Sequence, residues 1–381
     1  MTNRSGKLIT QPGGYKAFVP EKLPPDPPLR IESALQNLLS QADMALARLD
    51  GMGYFLPNAD LFIAMYVRKE ALLSSQIEGT QASLENIFEY ESGDKPENIN
   101  DVAEVINYIR ALNYGMDRLK TLPMSLRLIK EIHGVLMQGT RGGNKTPGEF
   151  RKTQNWIGPQ GSTLKDARYI PPPPHEVVKT MGDLEQYIHK GRKLPVLIDC
   201  GLVHYQFESI HPFLDGNGRV GRLLITFYLY FREVLHRPLL YLSYYFKKNR
   251  QEYYDRLNMV RDKGDYEQWI AFFLKGVMET ADSAVETSRK ILELQTKHRN
   301  LLWKKKLSSP LAVGILERLF QKPYVSVNDV AKEFSISFQA ASTLVSQLEG
   351  AGILREITGK KRDKRFIYAE YITILSEGTG L

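Results

Sequence analysis

Two apolar helical stretches, Val196–Ile210 and Arg219–Val234, flank a short segment that cannot be helical, and this junction constrains the fold more than any other feature. Pro212 ends the first helix near Ile210, because it lacks a backbone donor and clashes with the turn before it. Asp215 and Gly216 supply cap and turn chemistry for a second helix that begins near Asn217. The rest of the body follows the same period. Apolar residues recur at three- and four-residue steps from Arg30 (Ile31, Leu35, Leu38, Leu39, Ala42, Ala45), and again over Leu61–Leu73, Gln81–Glu91, Asn100–Lys120, Pro123–Met137, Glu176–His189, Lys248–Lys263 and Glu267–Met278. Breaks fall at Pro57–Asp60, Gly93–Pro96 and Gly139–Asn144. The early prolines Pro12, Pro20, Pro24, Pro25, Pro27 and Pro28 predict an extended strap lying on the helices. Gly148–Pro174 suits two short strands around a glycine turn. The expectation is an all-α body with one hairpin.

A chain of 381 residues exceeds one average domain. With 43% hydrophobic and 25% charged residues it has an ordinary globular composition, which argues against disorder. Leu223–Phe231, the longest near-apolar run, is far short of the ~18 residues a spanning helix needs. Met1–Lys7 is not followed by an apolar run of signal-peptide length. The single cysteine, Cys200, excludes an intrachain disulfide and a cysteine-cluster zinc site. A cytoplasmic protein with no membrane partner is expected. The net charge of +8 favours polyanionic partners without choosing among them.

The chemistry concentrates in His211–Arg222. Gly216-Asn217-Gly218 can turn several backbone N–H groups to one side at a helix N-terminus, forming an anion nest. Arg219 and Arg222, three apart, share a helical face just behind it. Asp215 suits Mg²⁺, which takes a carboxylate together with phosphate oxygens. His211 is the nearby group that titrates near neutrality and could accept a proton from a hydroxyl. Each element alone is commoner as structure than as a site. Their density within one bend is what a plain helical corner has no reason to show. Phe213 reads as a core anchor holding that bend down.

His211–Arg222 matches the signature HPFx(D/E)GNGRxxR and resembles Fic-domain proteins at every fixed position. The resemblance implies an all-α Fic-type helical core with a small β-hairpin flap, transferring AMP from ATP, with Mg²⁺, to a hydroxyl of a target protein. It assigns His211 as general base and Asp215 as magnesium ligand. Gly216, Asn217 and Gly218 would hold the α- and β-phosphates. Arg219 and Arg222 would bind the polyphosphate, with Val220 and Gly221 between them. A related branch, similar to HxFx(D/N)ANKR, transfers a phosphoryl group instead. Gly216 and Gly218 stand where that branch has alanine and lysine, so nucleotidyl transfer is preferred.

Gly148–Arg151 through Asn155, Trp156, Ile157 and Gly158 to Pro171–Pro174 resembles the family's flap, which would pair with the target as an added strand. Tyr253 and Tyr254 resemble a pair bordering the adenine. Ser74-Ser75-Gln76-Ile77-Glu78-Gly79 is similar to the inhibitory motif (S/T)xxxE(G/N). Through it Glu78 would take the Arg222 guanidinium that the γ-phosphate needs, a charge-assisted bond worth about 1.5–3 kcal/mol. His204-x-x-x-Glu208-x-x-His211 is not a zinc site, because it lacks the HExxH order, and His204 reads as a buried, hydrogen-bonded histidine.

Beyond Trp303–Lys306 the sequence resembles a winged helix–turn–helix: a short helix in Val325–Phe334, a recognition helix Ser337–Leu348, and strand-like runs Leu354–Thr358 and Arg365–Ala369. Arg355–Arg365 holds six basic and two acidic residues, a local +4 that suits phosphate contact. The recognition helix offers Gln339, Ser342, Thr343 and Ser346 but no arginine for reading bases. The expected domains are 1–110 (N-terminal helical region with the inhibitory motif), 111–280 (Fic core with flap 148–174), 281–306 (linker helix) and 307–381 (winged helix). Expected partners are a protein with an acceptor hydroxyl, DNA at the winged helix, and a second copy in a homodimer. Three functions follow: a self-inhibited protein adenylyltransferase, a Fic enzyme that uses water to remove AMP, and a nucleotide-sensing DNA-binding regulator. An intact His211 favours chemistry over sensing.

Overall fold

A computed structural model of the chain describes residues 2–55, 59–93, 95–140, 143, 145–159, 161–190, 194–377 and 379. The first strands are β1 (Thr2–Asn3), β2 (Gly6–Thr10) and β3 (Lys16–Pro20), an antiparallel sheet in the order β1-β2-β3 with Leu8 opposite Phe18. The proline-based expectation of a strap is therefore corrected over residues 2–20. Pro12 falls in the turn and Pro20 at the last strand position, where a missing N–H disrupts no ladder. From Glu21 to Glu32 the chain does run extended, without helix or strand.

The helical body comprises α1 (Ser33–Phe55), α2 (Ala59–Ile77), α3 (Leu84–Glu91), α4 (Ile99–Leu119), α5 (Leu126–Leu136), α6 (Pro174–His189), α7 (Val196–Ile210), α8 (Asn217–Phe231), α9 (Ser243–Lys248), α10 (Arg250–Lys263) and α11 (Tyr266–Lys304). Within the expected breaks, Pro57, Asn58, Asp94, Arg141, Gly142 and Asn144 lie outside the described residues, as does Gln160 of the flap. Ser83 and Ser125 cap α3 and α5 through their side chains. Two expected boundaries are corrected. Asn249 separates α9 from α10. The stretches Glu267–Met278 and Ala281–Leu302 form one helix, with Thr280 and Ala281 fully buried in its middle. The hairpin foreseen in 148–174 reduces to one antiparallel bridge, Ile157 with Tyr169. Pro159 and Pro171–Pro174 remove the donors a longer ladder requires.

At the centre lies α7, buried along nearly its whole length from Leu197 to Ile210, which is why it reads as apolar all round rather than amphipathic. Packed against it are α8, α6 and α11, while α2 and α4 close over α8. Gly115 on α4 permits the closest approach, since a side chain there would collide with the Phe227 ring of α8.

The remaining elements are α12 (Pro310–Leu319), β4 (Tyr324–Ser326), α13 (Val327–Glu333), α14 (Phe338–Gly350), β5 (Arg355–Glu356), β6 (Arg365–Ile367) and α15 (Ala369–Ser376), with sheet order β4-β6-β5. This is the expected winged helix, with two refinements. Val325 belongs to β4 rather than to the following helix, and Ala369 opens α15 rather than ending a strand. The unit is tied to the body: the Tyr324 ring stacks on Phe88 at 5.5 Å, and Lys69 Nζ donates to the Glu377 carbonyl at 2.7 Å. Among the described residues no helix is long and apolar enough to cross a membrane. Because the Phe227 ring is fully buried and cannot yield, Gly115→Val should destabilise the fold by about 1–3 kcal/mol. A lower midpoint in urea at unchanged slope would register this.

Candidate active site

The bend between α7 and α8 is built by its own side chains. His211 closes α7 in the left-handed conformation (φ 50°, ψ 59°). For a residue with a Cβ this costs roughly 1–2 kcal/mol, so the surroundings must hold it there. The Asn217 side chain faces inward, donating to the Phe213 carbonyl (2.9 Å) and accepting from the Phe213 N–H (2.8 Å). Phe213 is fully buried and stacks on the His133 ring at 3.7 Å, the anchor expected from sequence. His133 Nδ1 accepts from the Gly148 N–H (2.8 Å), so its Nε2 carries the proton and donates to the Asp215 carbonyl (3.1 Å). Gly216 then takes the positive φ of 76° at the N-cap of α8.

Above the bend is a cavity of about 270 Å³ lined by Glu78, Thr80, Glu104, His211, Asp215 and residues 216–219. His211 borders it with its Nδ1 buried. Burial, then Arg151 and Arg261, pull the imidazole down to about 4, so it is neutral at physiological pH. Asp215 Oδ2 accepts from Lys145 Nζ at 2.9 Å, and its Oδ1 from the Gly216 N–H at 2.7 Å. A carboxylate at the cavity edge beside the start of α8 fits Mg²⁺, which needs few protein ligands beside phosphate and water, and the Lys145 ammonium would give up Oδ2 to the ion. No group of three or more His, Cys, Asp or Glu among the described residues is arranged for a metal.

Arg222 does not line the cavity; it lies behind Glu78, 2% exposed. Its Nε donates to Ser74 Oγ (2.7 Å), and one terminal nitrogen donates to the Ser74 carbonyl (2.9 Å) and to Glu78 Oε1 (2.7 Å). Burial works to raise the Glu78 pKa, but Arg222 outweighs it and keeps the carboxyl below its usual range. Gly218 makes room for this contact, because a side chain there would run into the Glu78 carboxylate. Glu78 therefore lies against the N-terminus of α8, with 37% of its side chain open to the cavity.

Other residues singled out from sequence take separate places. Val220 is buried in the core, and Gly221 accepts from His204 Nδ1 at 2.9 Å. The other nitrogen of His204 meets the Tyr253 hydroxyl at 2.8 Å, so Tyr253 is fully buried and Tyr254 only partly. In the flap, Ile157 forms the bridge, and Trp156 and Gly158 are exposed. Asn155 turns inward, donating to the carbonyls of His211 (3.3 Å) and Phe213 (2.9 Å). Sequence reasoning missed three neighbours. Glu104 on α4 meets Arg219 Nη1 at 3.5 Å and accepts from Thr80 Oγ1 at 3.2 Å. His133 and Arg151 are the others. The only signal for Glu104 and His133 was a polar residue on an otherwise buried helical stripe.

Comparison with known proteins agrees with this arrangement. Residues 36–117 match the Fic/DOC family N-terminal domain, 123–229 the Fic/DOC family domain, and 313–366 an HTH DNA binding domain. The chain thus carries the Fic/DOC domain pair followed by an HTH domain. It is 26% identical over 209 residues to the protein adenylyltransferase Fic of Drosophila grimshawi, covering 53% of this chain and 39% of that one. A probable protein adenylyltransferase of Aquifex aeolicus is 28% identical over 202 residues, 51% of this chain and 55% of the relative. The chain therefore spans about two fifths to just over half of these relatives. A Fic family protein from Desulfovibrio desulfuricans superposes with a TM-score of 0.58 at 20% identity, covering 90% of this chain and 97% of that one. A Fic domain containing signaling protein from Bacteroides thetaiotaomicron gives 0.51 at 18% identity, covering 66% and 95%. The fold is the Fic fold.

Beneath the site, Glu208 is buried with Oε1 unpartnered. Burial raises its carboxyl to about 7, with Arg222 opposing and Glu78 assisting. A folded pKa above the unfolded one contributes stability below about pH 4.5 that is lost as pH rises through about 7. Relative to the parent chain, Glu208→Gln should therefore gain stability between about pH 5 and 8, by roughly 1–3 kcal/mol. Denaturation midpoints with identical pH slopes for the two proteins would show that Glu208 is already ionised.

Proposed function

We propose that this chain is a protein adenylyltransferase, moving AMP from ATP to a Ser, Thr or Tyr hydroxyl of a target protein and of itself, with Glu78 holding it inactive through Arg222. The observation that carries the reading is a neutral histidine and a helix N-terminus sharing one cavity with Glu78 across it. Phosphate groups suit that N-terminus because its backbone N–H groups and dipole favour negative charge. Arg219, buried against Glu104, and Arg222 behind Glu78 would add fixed positive charge. Asp215 would hold Mg²⁺, which neutralises phosphate oxygens when bound.

In the transfer, the target hydroxyl oxygen forms a bond to the α-phosphorus and the bond from that phosphorus to the β-phosphate oxygen breaks. Pyrophosphate leaves, and the hydroxyl proton passes to His211. The neutral imidazole can accept it directly. Phosphate charge close by would raise its pKa from about 4 towards the range of an efficient base. The relatives named protein adenylyltransferase support this activity.

With 37% of its side chain open to the cavity, Glu78 forms a partly screened pair, so the lower part of the range for such bonds applies. Glu78→Gly should raise incorporation of labelled AMP about tenfold, and adding His211→Ala should abolish it. Transfer that survives the loss of His211 would refute the assignment of the base.

The HTH match and a groove between α14 and the basic segment 360–364 support DNA as a partner of the C-terminal unit. Lys361, Arg362 and Lys364 line that groove with Ser342 and Ser346. Replacing Lys361 and Arg362 by alanine should weaken duplex binding several-fold and lower its salt dependence by up to two phosphate contacts. Fluorescence anisotropy across a salt series reads both.

A further inference from the structure

Arg151 lies at the start of the flap segment and is 2% exposed. Among the described residues no carboxylate pairs with it. Its partners are backbone carbonyls. On one side its Nε donates to the His211 carbonyl (2.9 Å) and a terminal nitrogen reaches the Ile210 carbonyl (3.4 Å). On the other side the same terminal nitrogen donates to the Pro172 carbonyl (2.5 Å) and the second one to Thr153 (3.3 Å). The Arg151 backbone N–H donates to the Pro212 carbonyl at 2.9 Å. One planar group thus fastens both ends of the flap segment to the end of α7.

These contacts bear on the one strained peptide in the bend. The last carbonyls of a helix have no intrahelical partner, and a left-handed residue needs its neighbours to hold it. The His211 carbonyl receives two donors, Arg151 Nε and Asn155 Nδ2, and both come from the flap segment. Nothing in α7 or α8 offers this carbonyl a hydrogen bond among the described residues.

We infer that Arg151 is a positioning residue for His211: its guanidinium holds the left-handed His211 peptide in place and makes the placement of the imidazole depend on the flap, with Asn155 as second donor. This rests on the reading of His211 as the base. A target strand added to the flap would then pull on the same backbone that aims the base. The charge of Arg151 has a second effect. The charged groups acting on the imidazole are Arg151 at the start of the flap, Arg261 on α10 and Glu78 after α2, and the two arginines disfavour its protonation. An ammonium keeps the charge but cannot span carbonyls on two sides as a planar fork does.

The experiment uses the full chain carrying Glu78→Gly, with Arg151→Lys, Arg151→Met or Asn155→Ala added. It follows AMP transfer against ATP concentration and pH. Arg151→Lys and Arg151→Met should each lower kcat at least tenfold while the KM for ATP stays within about twofold. In Arg151→Met the acid limb of the pH profile should move up from the parent's, because one of the two arginines that disfavour protonation is gone while burial stays; in Arg151→Lys it should stay near the parent's. Asn155→Ala should lower kcat several-fold without moving the limb. If Arg151→Met does not fold, as judged by its melting curve, the lysine and Asn155 variants decide alone. Parent-like kcat in both would overturn the inference. Loss of transfer in His211→Ala beside normal transfer in the Arg151 variants would remove this inference but leave the functional reading intact. Transfer persisting in His211→Ala would remove the reading of His211 as the base, on which this inference rests.

Discussion

Arg222 is a buried cation on α8 whose hydrogen bonds, among the described residues, go to α2 and the residue just after it. Everything about the cavity depends on that contact. Helix α2 ends at Ile77, so Glu78 emerges where it can reach across to α8. Gly218 leaves the space for its carboxylate, and Ser74, one turn earlier, takes the remaining face of the guanidinium. Two turns back on the same helix, the buried Glu70 accepts hydrogen bonds from Tyr108 of α4 and from Ser243 at the start of α9. The segment that carries Glu78 is thus the end of a helix fastened along its length. It is also gripped from the C-terminal side, where Lys69 donates to the Glu377 carbonyl and Gln76 Nε2 to that of Thr379 (3.3 Å). Moving Glu78 aside means bending only the last turn and the Gly79 link that follows.

The same buried surroundings give the histidines distinct tasks. His204 sits between Gly221 and the Tyr253 hydroxyl, and burial lowers it to about 3. His133 joins the first residue of the flap to the bend, and burial lowers it to about 4. Both are spent on structure. His211 has a comparable pKa but borders the cavity, where its ring interacts with the Glu208 backbone and, among the described residues, with no side chain through a hydrogen bond. A ring held neutral at the edge of a cavity is what a proton acceptor requires.

Much of this was legible in the sequence. Helix α7 begins and ends where the apolar run and Pro212 place it, and the corner into α8 follows from Asp215 and Gly216. Glu78 opposite Arg222 came from a six-residue resemblance, and the 2.7 Å contact matches that pairing. The misses share a cause. The strands β1–β3 are short, and prolines at their margins mask the alternation. Glu104, His133 and Arg151 act through contacts between residues far apart in sequence, such as the 60-residue span from Arg151 to the His211 carbonyl, which no local period encodes. The unbroken helix α11 was divided because Thr280 interrupts the apolar reading, although its hydroxyl bonds back to the Gly276 carbonyl inside the helix.

The central claim is that the Glu78 carboxylate and the polyphosphate of a nucleotide compete for one place at the start of α8. Calorimetric titration of Mg–ATP into the parent chain and into Glu78→Gly, under identical conditions, tests it most directly. Binding at least several-fold tighter in the variant is the expected result. Equal affinities, or no detectable uptake by either protein, would contradict it.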